Sequence, residues 1–284
     1  MRIPDWLVYA AVLAVIVGTL FILAQGRDSV AILPFETARA ALEDASDSEI
    51  APALPEPDPF DERVLVQVGD AEDGIGTAFA INKSGAWLTA RHVVDGCARV
   101  GLAVGDGRMV PVEEVHTSRD SDLALLMTDR APAQLALDLD RDLRIGEAGY
   151  HVGFPQGRPG EASSHLLARS KLVTRGRYTT EEQVLAWAES DRSEGIEGTL
   201  SGMSGGPVFG KDGSVIGVTL AESPRRGRIY TATQDSISRF LEDEGLIAPG
   251  GEAHPLAASS YAREADLLRD ERAVVKVLCR VSDR

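Results

Sequence analysis

Cysteines, histidines and aromatic rings are scarce in this chain, and a basic patch is missing. The two cysteines, Cys97 and Cys279, lie far apart without the paired spacing of a zinc site, so no metal is implied, nor any cofactor. Lys and Arg number 29 against 44 Asp and Glu, a net charge of −15 with no offsetting Lys/Arg cluster, which argues against nucleic acid as a partner. Aromatics make up 5% of the chain, too few for a base-stacking platform. From Asp61 no long segment of helical period occurs before Gln234, and Ser204 does not lie in a Gly-x-Ser-x-Gly strand-to-helix elbow, which leaves an esterase reading weak.

One long hydrophobic run is present. Trp6–Ala24 holds nineteen residues without a charge; as a helix it would reach roughly 28 Å, close to the hydrocarbon thickness of a bilayer. A cleaved signal peptide would have a shorter apolar region and a small-x-small site, which Ile22-Leu23-Ala24 does not provide. The expectation is an anchor over residues 1–24, N-terminus inside and the rest of the chain outside. Residues 25–60 carry eight acidic residues against two basic and end in Pro52, Pro55, Pro57 and Pro59, the composition of a solvated linker.

From Asp61 short apolar runs alternate with Gly/Asp turns: Val64–Val68, Gly76–Ile81, Ala86–Thr89, Leu123–Thr128, Gly149–Phe154, His165–Val173, Val184–Glu189 and Ser214–Leu220 among them. That rhythm predicts an all-β domain over residues 61–246, an antiparallel sandwich or two barrels. Within residues 247–284, a helix is expected from Ser260 to Asp270. The alternation of Val275, Val277, Cys279 and Val281 predicts a strand added to a sheet edge, with a segment covering the cleft as the alternative.

Three motifs carry chemistry. Leu200-Ser-Gly-Met-Ser-Gly-Gly-Pro-Val208 places Ser204 in a Gly-rich turn whose backbone N–H groups can converge on one point, a nucleophile beside oxyanion donors. Leu88-Thr-Ala-Arg-His-Val-Val94 sets His92 just past a buried strand, and Asp120-Ser-Asp-Leu-Ala-Leu-Leu126 sets Asp122 just before one.

The order His, Asp, Ser within these motifs resembles the chymotrypsin/trypsin-like serine proteases, closest to the bacterial HtrA (Deg) branch, over about residues 62–246. The resemblance implies two antiparallel six-stranded β-barrels with a closing helix. It implies His92 as general base, Asp122 as its orienting carboxylate, Ser204 as nucleophile, and the N–H groups of Gly202 and Ser204 as the oxyanion hole. It also implies a protein or peptide substrate and a periplasmic catalytic domain on the bacterial inner membrane, and it leaves a homo-oligomer open. The residues after the closing helix are too few for the PDZ domain of HtrA relatives. Met203 stands where the family usually carries Asn or Asp, which leaves a latent oxyanion hole, or a catalytically weak binding or sensing module, as the rival reading. In the substrate pocket, Gly198 replaces the Asp of trypsin-like enzymes. Thr199 matches Glu-specific relatives, whereas Thr219 replaces their His, so a small, mostly apolar pocket is expected. An oxidising compartment favours a Cys97–Cys279 disulfide over two free thiols or a bridge between chains.

Overall fold

A computed structural model of the chain describes residues 51–105, 107–248, 250, 253 and 255–282. The apolar run at 6–24, most of the linker and His254 lie outside these residues, and no described helix is long and apolar enough to cross a membrane. Strand dominates, and fourteen named strands form two seven-stranded sheets.

The first sheet runs β5 (Met109–Pro111), β4 (Arg99–Ala103), β14 (Val274–Arg280), β2 (Gly74–Ala80), β3 (Ala86–Ala90), β7 (Leu123–Met127), β6 (Glu114–Thr117). Every residue of β3 is buried, and β7 is buried from Leu123 to Leu126, so both read as near-continuous apolar runs. Between β2 and β3 the chain reverses at Asn82–Gly85. Asn82 Oδ1 accepts the Ala86 N–H at 3.0 Å, and Gly85 takes φ +97° where a side chain would strike the Thr128 carbonyl.

The second sheet runs β1 (Glu62–Val68), β9 (Gly160–Gly176), β10 (Thr180–Arg192), β13 (Arg228–Ala232), β12 (Val215–Ser223), β11 (Pro207–Phe209), β8 (Ala148–Gly153), and a further β8–β9 pairing closes six of these strands into a ring. A closed ring leaves no edge unpaired. β9 and β10 form a long hairpin, bulged at Ala186/Trp187 and Glu189/Asp191, whose turn at Arg177–Thr179 reaches His92 and Asp122.

The two ends of the described chain cross over. β1 pairs in parallel with β9, joining the sheet built otherwise from residues 148–232. β14 lies antiparallel between β2 and β4, inside the sheet built otherwise from residues 74–127. Val275, Val277 and Cys279 do share a buried face, but the strand occupies an interior position, not the edge expected from its pattern. The reason is composition: β14 is apolar along most of its length, and only neighbours on both sides satisfy its backbone in a dry setting. Upstream of β1, Ala53 bridges Arg144, the Leu54 N–H donates to the Leu143 carbonyl at 2.9 Å, and the Leu54 side chain is buried.

Among the described residues, three α-helices accompany the sheets. α1 (Arg91–Val94) is a single turn following β3. α2 (Gln234–Asp243) starts at Thr233, whose hydroxyl accepts the Ser236 N–H, and buries Ile237, Phe240 and Leu241. α3 (Tyr261–Asp270) stacks Tyr261 on Tyr150 at 5.1 Å between ring centres.

Cys97, just after α1, is bonded to Cys279 in β14, with Cα atoms 5.5 Å apart and a sequence separation of 182. Closing so long a loop restricts the unfolded chain by up to about 5 kcal/mol in the chain-entropy account. Reduction, or a Cys97→Ser/Cys279→Ser double substitution, is therefore expected to lower the unfolding free energy by several kcal/mol. Denaturant melts with and without reductant measure it, and coincident midpoints would show that loop closure contributes nothing.

Candidate active site

Asp122 is only 2% exposed, so its charge must be met by donors inside the protein. Oδ2 lies 2.7 Å from His92 Nδ1; Oδ1 accepts the His92 backbone N–H at 2.9 Å and the Tyr178 hydroxyl at 2.5 Å. The single turn α1 is what allows His92 to offer both backbone and ring to one carboxylate. The Asp122 carbonyl in turn accepts the Arg91 N–H at 2.9 Å, fixing where that turn starts. With Nδ1 turned to Asp122, Nε2 is the ring nitrogen left for another group. Burial pulls the His92 pKa down, but the Asp122 charge and hydrogen bond outweigh it, so the net shift is upward from 6.5.

The β9–β10 hairpin holds this pair from the other sheet. Tyr178 gives its hydroxyl to Asp122, and its ring carries the Arg91 guanidinium at 4.0 Å. Burial, then the Asp122 charge, push the Tyr178 pKa far above the usual tyrosine value, so it remains a donor. Glu182 accepts the Asp122 N–H at 2.6 Å through Oε1. Burial above all, reinforced by the Asp122 charge, pushes its pKa up to about 8. Arg177 completes the clasp, with Nε 2.7 Å from Asp95 Oδ2 and Nη2 3.3 Å from the His92 carbonyl. The motifs did not point to these residues. The signal for Glu182 was period-two alternation: counting back from Val184 puts Glu182 and Thr180 on the inward face.

Ser204 follows a tight turn. The Met203 N–H donates to the Leu200 carbonyl at 2.9 Å, and Gly202 takes φ +98° at the third position, as a type II turn requires. The Ser201 carbonyl accepts the Gln156 N–H at 2.5 Å, which turns that oxygen toward the Phe154–Gln156 segment. In a trans peptide the following N–H, that of Gly202, points the opposite way. Thr77 ties the turn to the first sheet: its N–H donates to the Ser204 carbonyl at 2.9 Å and its hydroxyl to the Gly202 carbonyl at 2.8 Å. A side chain on Gly205 would collide with the Thr77 carbonyl, the Thr89 hydroxyl and the Ala90 nitrogen. The Ser204 turn therefore packs directly on β3, which ends at Ala90 and leads into the helical turn of His92. The Ser204 side chain is half-buried, and no hydrogen bond joins it to the His92 ring among the described residues; such bonds commonly tighten only when substrate binds.

Met203 is 0% exposed and packs in a cluster with Leu200, Trp187, Ile196 and Ile216. Apolar burial holds the turn in the place of the missing polar anchor, and the turn is formed without it. Of the pocket candidates, Gly198 and Thr199 are exposed, whereas Thr219 is buried with its hydroxyl 3.3 Å from His151 Nδ1 and its carbonyl accepting the Gly205 N–H. Thr199 donates its hydroxyl to Glu222, a carboxylate that the expected apolar pocket did not contain. The remaining described histidines lie elsewhere: His116 bridges Glu114 and Glu244, and His165 is exposed. His151 is enclosed, and burial drives its pKa down to about 3, so it stays neutral.

Residues 76–218 match a family model described as a trypsin-like peptidase domain. A probable periplasmic serine endoprotease, DegP-like, of Halomonas elongata is 29% identical over 156 residues, 54% of this chain and 30% of that protein. The putative serine protease HhoA of Synechocystis sp. is 28% identical over 188 residues, 64% of this chain and 45% of that protein. The chain thus spans less than half the length of these curated relatives. The Rv3671c protease from M. tuberculosis in its active form is similar in fold, with TM-score 0.50 and 16% identity, over 72% of this chain and 100% of that one.

Two measurements follow from the geometry. The His92 ring, followed by NMR, is expected to titrate above 6.5, and Asp122→Asn should lower that midpoint because burial then acts unopposed; an unmoved midpoint would show that the pair is not coupled. Met203→Asn is expected to destabilise the domain by about 1–3 kcal/mol by burying an amide without partners, while Met203→Leu should cost less than about 1.5 kcal/mol. Equal melting of Met203→Asn and the unsubstituted protein would contradict the packing role.

Proposed function

Since the chain belongs to the trypsin-like peptidase family, we propose that it is a serine endopeptidase in which Ser204, His92 and Asp122 act as a triad. His92 Nε2 takes the Ser204 proton as Oγ attacks a peptide carbonyl, then returns it to the leaving amine. Asp122 holds the ring in the tautomer with hydrogen on Nδ1 and stabilises the imidazolium as it forms. The developing oxyanion is met by the N–H groups of Gly202 and Ser204, presented by a turn already fixed in the folded chain, so little reorganisation is needed at the moment of reaction.

The observation that supports this reading is the packing of the Ser204 turn on Thr89 and Ala90, at the end of the strand that leads into the helical turn of His92, whose ring is paired with Asp122. The formed turn over Met203 speaks against a latent oxyanion hole, one of the two grounds for reading the domain as a binding module. We further propose that the domain works in the periplasm, tethered by residues 6–24, on protein or peptide substrates. The names of its DegP-like relatives support that location.

Fluorophosphonate labelling of Ser204 together with a casein digest tests the assignment. Ser204→Ala is expected to abolish both, leaving at most about 10³–10⁴-fold acceleration over water, and His92→Ala should do nearly the same. Undiminished digestion by Ser204→Ala would overturn it.

A further inference from the structure

A cavity of about 570 Å³ lies between β14, the end of α3, the turn joining β4 to β5, and residues 154–159. That volume falls within the roughly 300–1,000 Å³ of ligand clefts. Two of its walls, α3 and β14, come from beyond the residues matched to the trypsin-like domain. Arg108, Arg269, Arg272 and Lys276 line it against one carboxylate, Asp270, among the described residues. In a chain of net charge −15 this is a local reversal of sign.

The cations differ in how far their charges are already met. Arg269 is held by Glu161 at 2.7 Å, Asp266 at 2.8 Å and the Gly160 carbonyl at 2.6 Å. Its side chain is 8% exposed, yet Nε has no hydrogen-bond partner, a buried donor left over at the cavity. Lys276 stands opposite Thr77 in the β14–β2 register and donates to a neutral group, the Gly157 carbonyl, at 3.1 Å. Arg269 and Lys276 each lie 5.9 Å from the centre of the Phe154 ring. Arg272 is half-buried, and its side chain makes no hydrogen bond or ion pair among the described residues. Its backbone takes φ +60° just past the Glu271 cap of α3, a position where glycine is usual. Arginine there strains the backbone, and what it adds to the cavity is an uncommitted cation. The rest of the lining is largely apolar, with the Phe154 ring, Leu278 and the half-exposed Met109 among it.

We propose that this cavity docks an acidic peptide segment, its carboxylates on Arg272 and Lys276 and an apolar side chain against Phe154 and Met109. A guanidinium and an ammonium without carboxylate partners take such groups through charge-assisted bonds. The apolar surface between them calls for an uncharged neighbour in the same segment. A nucleic acid would need a continuous basic track, and the net charge of −15 opposes a long polyanion, whereas a short acidic segment meets only the local sign. Among short anions a polypeptide is favoured because the cavity adjoins the Ser204 turn. Phe154 donates its N–H at 3.1 Å to the Thr77 hydroxyl, the same hydroxyl that holds the Gly202 carbonyl. That preference rests on the peptidase reading; the docking itself needs no turnover.

The test uses the full chain carrying Ser204→Ala, in detergent, and fluorescence anisotropy. The probes are a fluorescein-labelled hexapeptide of alternating aspartate and phenylalanine and its asparagine counterpart. The acidic peptide is expected to bind about tenfold more tightly than the amide one. Arg272→Gly and Lys276→Gln should each weaken it about three- to tenfold, leave the amide peptide unchanged, and together erase the difference. Arg272→Gly also relieves the backbone, so its melting temperature should not fall. Weaker docking by a chain that melts no lower separates a ligand role from a structural one. Equal binding of the two peptides, or an undiminished preference in the double variant, overturns the proposal. Displacement of the probe by inorganic phosphate at lower concentration than by unlabelled acidic peptide also overturns it, by assigning the cavity to a phosphate. Ser204 labelling of the unsubstituted chain is measured beside it, so failure of the docking is distinguished from failure of the peptidase reading.

Discussion

A single buried negative charge, that of Asp122, dictates much of the geometry around it. Removing a carboxylate from water costs several kcal/mol unless donors replace the lost hydration. Here the replacements come from two sheets: the backbone and ring of His92 from the first, the Tyr178 hydroxyl from the hairpin of the second. Each donor is itself held. The Arg91 N–H bonds to the Asp122 carbonyl, Tyr178 carries the Arg91 guanidinium on its ring, and Glu182 receives the Asp122 N–H. Loss of any one would strand a buried polar group. The requirement to satisfy one carboxylate thus also fixes the imidazole and the approach of the two sheets.

Thr77 does for the Ser204 turn what Tyr178 does for Asp122. From the first sheet it secures the carbonyls of Gly202 and Ser204, while the turn's hydrophobic root, Met203, is sunk in the core of the second. The turn is therefore anchored on two sides by different forces, one directional and one not. A buried thioether fills space without needing a partner, which is why a residue that breaks the family's usual pattern leaves the turn intact.

Local chemistry and the Cys97–Cys279 bond were readable in the sequence, and the pairing of strands was not. The motifs around His92, Asp122 and Ser204 announce themselves through Gly spacing and flanking apolar strands, and the strand rhythm announces a mostly β chain. The sequence was silent on which strand pairs with which: the patterns of β1 and β14 are compatible with any apolar neighbour, and their exchange between sheets is decided by packing of the whole. Tyr178 and Glu182 escaped because their importance comes from what lies opposite them, Asp122, and not from their own neighbours. Leu54 escaped because its Pro-rich surroundings resemble a spacer, although a single buried leucine and one bridge suffice to lay that stretch on the domain.

The interior place of β14 has a temporal consequence. β2 and β4 have no common partner until residues 274–280 exist, so the sheet that bears His92 remains incomplete through most of synthesis. At about 5–20 residues per second the ribosome needs ~10–40 s to travel the 182 residues from Cys97 to Cys279. Even after Asp122 and Ser204 have been made, His92 sits on a sheet whose interior strand β14 is still missing. The order of translation thereby acts as a delay on assembly: the sheet that carries His92 closes only once residues 274–280 have been delivered.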